Sequence, residues 1–336
     1  MQPVRSAARL SIGFILARRF TLCAFANFVD VLRLAADEGD RSRPIHCRWS
    51  VLSDRMRSAV SSCGVEVQPS ERLGDPSRFD YIVVVGGLVD EIPNLDPAYL
   101  RYLRRAAEQN VPLVGVCTGA FILHRAGLMD GYRCCVSWFH HADFLEEFDG
   151  LTPVSDQIFV VDRDRITCSG GASSAHLAAH LVDKHVGRSQ AHKSLRIMII
   201  DEVQAAEKPQ PGIPIDLETK DELVRKALLH MQQAVDIPLS IAALSRRLGL
   251  GRRQLERHFR AALSMTPMQA YKTIRLGHAE FLLKTTRSSL TDIAVETGFC
   301  DTSHFIKAFK KRNSVTPAAY RQMAQAAPGE QAGFGL

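Results

Sequence analysis

The 336-residue sequence predicts two folds in one chain: an α/β doubly wound parallel sheet in the N-terminal body and an all-α tandem helix-turn-helix domain at the C-terminal end. Three observations carry this. Before residue 205, short apolar runs alternate with helical patterns. Beyond residue 219, a short helix, a glycine turn and a basic helix occur in that order twice. The charge divides along the same line: residues 219–324 hold 18 Lys+Arg against 8 Asp+Glu, and residues 1–218 hold 24 against 27. A basic module on a slightly acidic body implies that one part binds a polyanion and the other does something else.

In the body, Ser11–Ala17, Tyr81–Val85 and Leu113–Val116 read as buried strands. Phe25–Ala36, Pro97–Gln109 and Ala172–His185 read as helices. Two strand ends carry glycine: VVVGG, Val83 to Gly87, and LVGVCTGAFIL, Leu113 to Leu123, where a helix starts directly after Cys117. That G-x-C-x-G turn has the form of a nucleophile elbow. A helix N-terminus beneath the sulfur is expected to lower the thiol pKa and to offer backbone N–H groups to an anion. The Thr118 N–H and those near Gly87 and Leu88 would form an oxyanion hole, outside the carboxyl ends of the strands. Gly86, Gly87, Leu88, Cys117 and Thr118 are therefore candidate ligand-binding residues.

His176 and His180 share a helix face at i, i+4, with His185 beyond them. No H-E-x-x-H motif accompanies them, and Leu177, Leu181 and Val182 mark a helix packed on the sheet instead of a metal site. No metal or cofactor is expected.

Glu207 to Ile215, EKPQPGIPI, has three prolines and a glycine in nine residues and reads as the core of an interdomain linker, 206–218. This gives a body of 10–205 and a DNA-binding module of 219–324 with helix-turn-helix units at about 240–261 and 289–312. A leading helix runs from about Lys220 to Gln233. Ser240 then caps IAALSRRL, Gly249 turns the chain, and GRRQLERHFR forms a helix with Leu255 and Phe259 inward. Gly251 stands at that helix's N-cap, a weakening of about a few tenths of a kcal/mol. Pro267 opens a helix to about Lys284, a rigid spacer of about 27 Å. Ser289 caps the next short helix, Gly298 ends it, and Thr302–Arg312 follows with Phe305, Ala308 and Phe309 inward. Thr302, Ser303, Ile306, Lys307, Lys310 and Lys311 lie on its outer face. A Pro317–Met323 helix closes the module, and Ala324 to Leu336 reads as a frayed tail.

The run IA-x3-GF-x-D-x-SHF-x3-F, followed by TP-x2-YR, resembles the second helix-turn-helix of the AraC/XylS transcription regulators. Asn313-Ser314 stands where that family usually has an aromatic residue and glycine. The resemblance implies that Arg252, Arg253, Glu256 and Arg257 face DNA in the first unit, with Thr302, Ser303, Ile306 and Lys307 matching them in the second. Arginine forks onto guanine O6 and N7, and glutamate accepts from a cytosine amine. The body, through FDYIVVVGG, CTGAF-x5-AGLMDG and GGASSA-x3-AAHLV, resembles the PfpI-like branch of the class I glutamine amidotransferase-like fold. The body's resemblance adds Ser137, at a position where relatives carry a pocket histidine, to the candidate ligand-binding residues. The fused arrangement is similar to the GlxA group of regulators.

These resemblances imply a sequence-specific regulator of promoter DNA responding to a small-molecule effector, with RNA polymerase as a further partner and homodimerisation through the N-terminal domain. The rival readings are a Cys117-dependent hydrolase or deglycase and a thiol redox sensor. Against catalysis, Thr118 and Ser137 stand where catalytic relatives carry histidine, and Arg18 to Ala26 contains no Asp or Glu; His140 and His141 are the remaining bases in reach by sequence. No apolar run approaches the length of a membrane span. Eight cysteines without metal-type spacing, Cys134-Cys135 adjacent, fit reduced thiols in a cytoplasm.

Overall fold

The computed structural model describes residues 8–148, 151, 153–210, 217 and 219–326. The chain divides into two compact units, the first ending at Gln210. Most of the expected linker, 211–216 and 218, and the tail beyond 326 lie outside the described residues.

The first unit runs β1 (Leu10–Leu16), α1 (Leu22–Ala35), β2 (Cys47–Ser53), β3 (Ala59–Val60), β4 (Glu66–Val67), β5 (Glu71–Arg72), β6 (Tyr81–Val85), α2 (Pro97–Glu108), β7 (Leu113–Val116), α3 (Gly119–Arg125), α4 (His141–Glu147), β8 (Phe159–Asp162), β9 (Arg165–Cys168), α5 (Ser173–His185) and α6 (Arg188–Ile197). Seven strands form one sheet in the order β5-β2-β1-β6-β7-β9-β8, and β3 pairs with β4 separately. All ladders of the large sheet are parallel except β8 on β9.

The strands are apolar throughout because both faces are covered. Side chains alternate between two cores at period two. Leu10, Ile12, Phe14, Tyr81, Val83, Val85, Val114 and Val116 enter the core shared with α1, α5 and α6. Ile15, Ala17, Ile82, Val84 and Leu113 enter the opposite core with α2 and α3. A single Phe14, fully buried and edge-on to Phe25 and Phe28, contributes about 1.5–3 kcal/mol by leaving water.

The expected strands and helices are present with shifts of a few residues. The first helix starts at Leu22, three residues early, because Thr21 ends the preceding loop in an extended conformation. Residues 134–137 are irregular, with an isolated bridge from Cys135 to Val154.

The second unit is helical: α7 (Glu222–Gln232), α8 (Ile241–Arg247), α9 (Arg252–Leu263), α10 (Pro267–Thr285), α11 (Leu290–Glu296), α12 (Thr302–Asn313) and α13 (Pro317–Ala326). Asp221 caps α7, Ser240 caps α8, and capping boxes open α10 at Thr266 and α11 at Ser289. Ser314 ends α12 in the left-handed conformation, so the turn closes without the glycine usual there. Two cores result. Leu255 and Phe259 pack with Val224, Leu244 and Tyr271, whereas Phe305 and Phe309 pack with Ile293, Phe299 and Leu283.

Candidate functional site

The elbow is built by close backbone approach. Cys117 sits at φ 57°, a left-handed conformation that costs a non-glycine residue about 1–3 kcal/mol. Its two flanks hold it there. A Cβ on Gly119 would lie 2.2 Å from the Val84 carbonyl oxygen, and one on Gly86 would lie 2.2 Å from the Gly119 nitrogen. These glycines let α3 start directly against β6. The Cys117 N–H donates to Cys168 O at 3.0 Å, and the Thr118 hydroxyl donates to Gly87 O at 2.8 Å.

Thr21 and Gly170 complete the surroundings of the sulfur. Thr21 Oγ1 is 3.4 Å from Cys117 Sγ. Gly170, at φ 89°, leaves the space in which a Cβ would meet Cys117 Cβ at 2.7 Å. Asn27 Nδ2 donates to Gly171 O at 3.4 Å and lies 3.3 Å from Cys23 Sγ. Sequence reasoning missed Thr21 and Asn27. Both precede the elbow by some ninety residues in a loop and helix with no motif of their own; the β1–β6–β7 pairing brings Thr21 beside Cys117, and Asn27 reaches the Gly171 carbonyl.

The thiol corrects one expectation. Burial pushes the Cys117 thiol up and Cys23 adds to the rise; the Thr21 hydroxyl and the Thr118 N–H act in the opposite direction without offsetting it. The oxyanion hole is corrected too. The Leu88 N–H donates to Arg19 O at 3.3 Å, and the Thr118 N–H is turned to the cysteine's own sulfur.

The remaining candidates fall elsewhere. Ser137 caps the 3-10 turn Trp138–His140, accepting from the Phe139 N–H. His140 lies 2.7 Å from Asp143, and His141, the first residue of α4, lies 2.8 Å from Ser155 Oγ. His176 accepts from the Gln204 N–H, His180 rests on Phe159, and His185 meets the Tyr81 hydroxyl at 2.9 Å. The three rings diverge to separate partners, and burial lowers the pKa of each.

In the second unit, Arg252, Arg253 and Arg257 on α9 are exposed, as are Ser303, Lys307, Lys310 and Lys311 on α12. Arg252 donates to Glu256 at 3.0 Å, which presents those two side chains as a pair. Asp221, the α7 cap, also meets His258 of α9 at 2.7 Å and so fixes the base of that helix. Thr302 lies within 3.3 Å of Thr291. Ile306 is half-buried beside the second core. Arg275 of α10 donates to Thr297 O at 2.7 Å and to Gly298 O at 2.5 Å, with its guanidinium 4.1 Å from the Phe299 ring centroid. Gly298 in turn leaves no room for a side chain against Val235 O, 2.5 Å from its Cβ position. The two helix-turn-helix units are thereby fixed to one another through α10 and the segment after α7.

Residues 244–323 match the helix-turn-helix domain family, and residues 12–184 match the DJ-1/PfpI family. The HTH-type transcriptional regulator GbdR of Pseudomonas aeruginosa is 31% identical over 322 residues, spanning 95% of this chain and 86% of that protein. The HTH-type transcriptional regulator GlxA of Rhizobium meliloti is 29% identical over 313 residues, 93% of this chain and 95% of that protein. The isonitrile hydratase of Pseudomonas putida is 30% identical over 178 residues, 53% of this chain and 73% of the enzyme.

Proposed function

Because the chain belongs to the HTH-type transcriptional regulators that join a DJ-1/PfpI domain to an AraC-type helix-turn-helix domain, we propose that α9 and α12 enter successive major grooves of promoter DNA under the control of a small effector bound by the first unit. The observation that carries the proposal is the pair of exposed basic helices held at fixed separation by α10. At about 1.5 Å per residue its 19 residues span about 28 Å, close to the roughly 34 Å of one DNA turn once helix widths are added.

In this reading Arg252, Arg253, Glu256 and Arg257 read bases at one half-site and Thr302, Ser303, Ile306 and Lys307 at the other, while Lys310 and Lys311 hold phosphates. The effector pocket is the elbow wall of Gly86, Gly87, Leu88, Cys117 and Thr118, and Ser137, the cap of the 138–140 turn, is the further candidate from sequence. The thiol, held protonated, serves as a pocket surface. The regulator works in a cytoplasm, pairs with a second copy through the first unit, and meets RNA polymerase at the promoter. The effector must bind two arrangements of the chain with different affinity, since only that difference shifts their balance. A thermal-shift screen of the full chain against small amines, amino acids and carboxylates tests this. A compound that raises the melting temperature and also changes DNA affinity is the expected result; stabilisation with no change in DNA affinity counts against it.

The isonitrile hydratase relative favours a second reading, in which Cys117 turns over a substrate. Catalysis would require a base at the sulfur, where the described side-chain partner is the Thr21 hydroxyl. Turnover of an isonitrile by the purified chain, abolished in Cys117→Ser, would establish that reading instead.

A further inference from the structure

Gln210 is the last residue of the first unit, and its side chain is 1% exposed. Its amide Nε2 donates to Val136 O at 3.0 Å and to Gln157 O at 2.6 Å, and its Oε1 accepts from the Trp138 N–H at 2.8 Å. Both amide hydrogens and the carbonyl are thus used on backbone groups of two separate segments. The residues before it are laid down alongside: the Ile158 N–H donates to Ala206 O and Lys208 O at 3.2 and 3.0 Å. A proline-rich linker has no structural need for a buried amide at its root, which makes this arrangement specific.

The same turn is bonded back to the elbow. The Cys117 N–H is held by Cys168 O on β9, and the neighbouring Thr167 hydroxyl accepts from the Cys135 N–H at 2.7 Å. Cys135 Sγ also donates to Gln157 O at 3.2 Å. Two sets of hydrogen bonds, joined through the Thr167–Cys168 backbone of β9, therefore lead from the elbow to residues 135–138 and end on Gln210. A buried polar network of this kind is all-or-none: a displacement that takes Val136 O or the Trp138 N–H out of reach strands the other partners without water.

We propose that Gln210 is the latch through which the first unit governs the second, holding the linker root while residues 136–138 keep their present course and releasing it when they move. The inference rests on the reading that the first unit regulates DNA binding. It adds the element that does so, with two discrete arrangements of one side chain in place of a diffuse path.

The test uses the full chain and two substitutions. Gln210→Glu keeps the acceptor for the Trp138 N–H but sets a carboxylate oxygen against the Val136 and Gln157 carbonyls. Gln210→Asn keeps the amide and shortens its reach by one methylene, which guards against a variant that fails to fold. Amide hydrogen exchange over residues 136–138 and 157–158 is read beside the Kd for the duplex that wild-type protein selects from a random pool. We expect exchange in those segments to accelerate about tenfold or more. The Kd should shift about fivefold or more, the lower end of ordinary coupling between sites, with Gln210→Asn changing in the same direction as Gln210→Glu. Faster exchange with an unaltered Kd would reduce Gln210 to a structural clamp, and unaltered exchange would remove the latch altogether. Either result leaves DNA binding by the wild-type chain standing, so loss of the latch is distinct from loss of the regulator reading.

Discussion

The Cys117 sulfur and the Thr21 hydroxyl lie 3.4 Å apart, so the side chain facing the elbow thiol is one that cannot take its proton. Burial meanwhile raises the thiol pKa. The expected outcome is slow alkylation of Cys117 by iodoacetamide at neutral pH, with a rate inflecting above the ordinary thiol value of about 8.5. Thr21→Val should move the inflection higher, because the hydroxyl stabilises the thiolate. Mass-spectrometric alkylation rates against pH decide the matter. An inflection below the ordinary value would mark an activated nucleophile.

Three other thiols predict how the first unit responds to alkali. Burial pushes Cys47 up to about 12, Cys134 up to about 12 and Cys168 up to about 11. For an acid whose folded pKa lies above its unfolded one, the folded state holds the proton longer. Stability is therefore complete below the unfolded value and falls as pH rises from about 8.5 towards those folded values, by up to about 1.4 kcal/mol per pH unit for each thiol. Urea unfolding of Cys47→Ala should show a shallower loss between pH 9 and 10 than wild type, by up to about that slope. Identical slopes would mean that Cys47 is not buried as found.

Much of this architecture was legible because it depends on local patterning. Apolar runs such as Tyr81–Val85 are strands buried on both faces, and the Ser240 and Ser289 caps with the Gly249 and Gly298 turns mark the helix pairs directly. What escaped depends on distant partners. Strand β2, CRWSVLS, has its polar residues Arg48 and Ser50 on Ser11 and Glu71, and so lacks an apolar pattern. The β8–β9 pair gives the sheet an antiparallel edge that composition does not announce. A helix terminus is visible in sequence, but the desolvation that raises the Cys117 thiol is not, since it depends on how Gly170 and Thr21 close over the sulfur. Gln210, read as linker, is buried only because Val136, Trp138 and Gln157 converge on it.

Arg275 should control the joint between the two helix-turn-helix units. Arg275→Ala removes two charge-assisted bonds to the Thr297 and Gly298 carbonyls and the contact with Phe299, at a cost of about 2–4 kcal/mol to the second unit. Lysine, a point charge without a fork, should recover little of it. Chemical denaturation compared with wild type measures the loss; a change below about 0.5 kcal/mol would contradict the role.

Lys310 and Lys311, exposed at the end of α12, are expected to contact phosphates and carry no sequence preference. Each lysine-to-alanine change should weaken specific and random duplexes alike and flatten the slope of log K against log salt by about one. Altered preference with an unchanged slope would assign them to bases.

One chain is expected to read two half-sites with α9 and α12. Hydroxyl-radical footprinting of the full chain on a selected duplex, wild type beside Arg253→Ala, tests it most directly. Two protected windows are expected on one face of the DNA, about one helical turn apart. Arg253→Ala should lose about 1–3 kcal/mol of binding, with protection failing in one window and persisting in the other. A single protected window in wild type, or even loss across both in the variant, would contradict the division of recognition between the two helices.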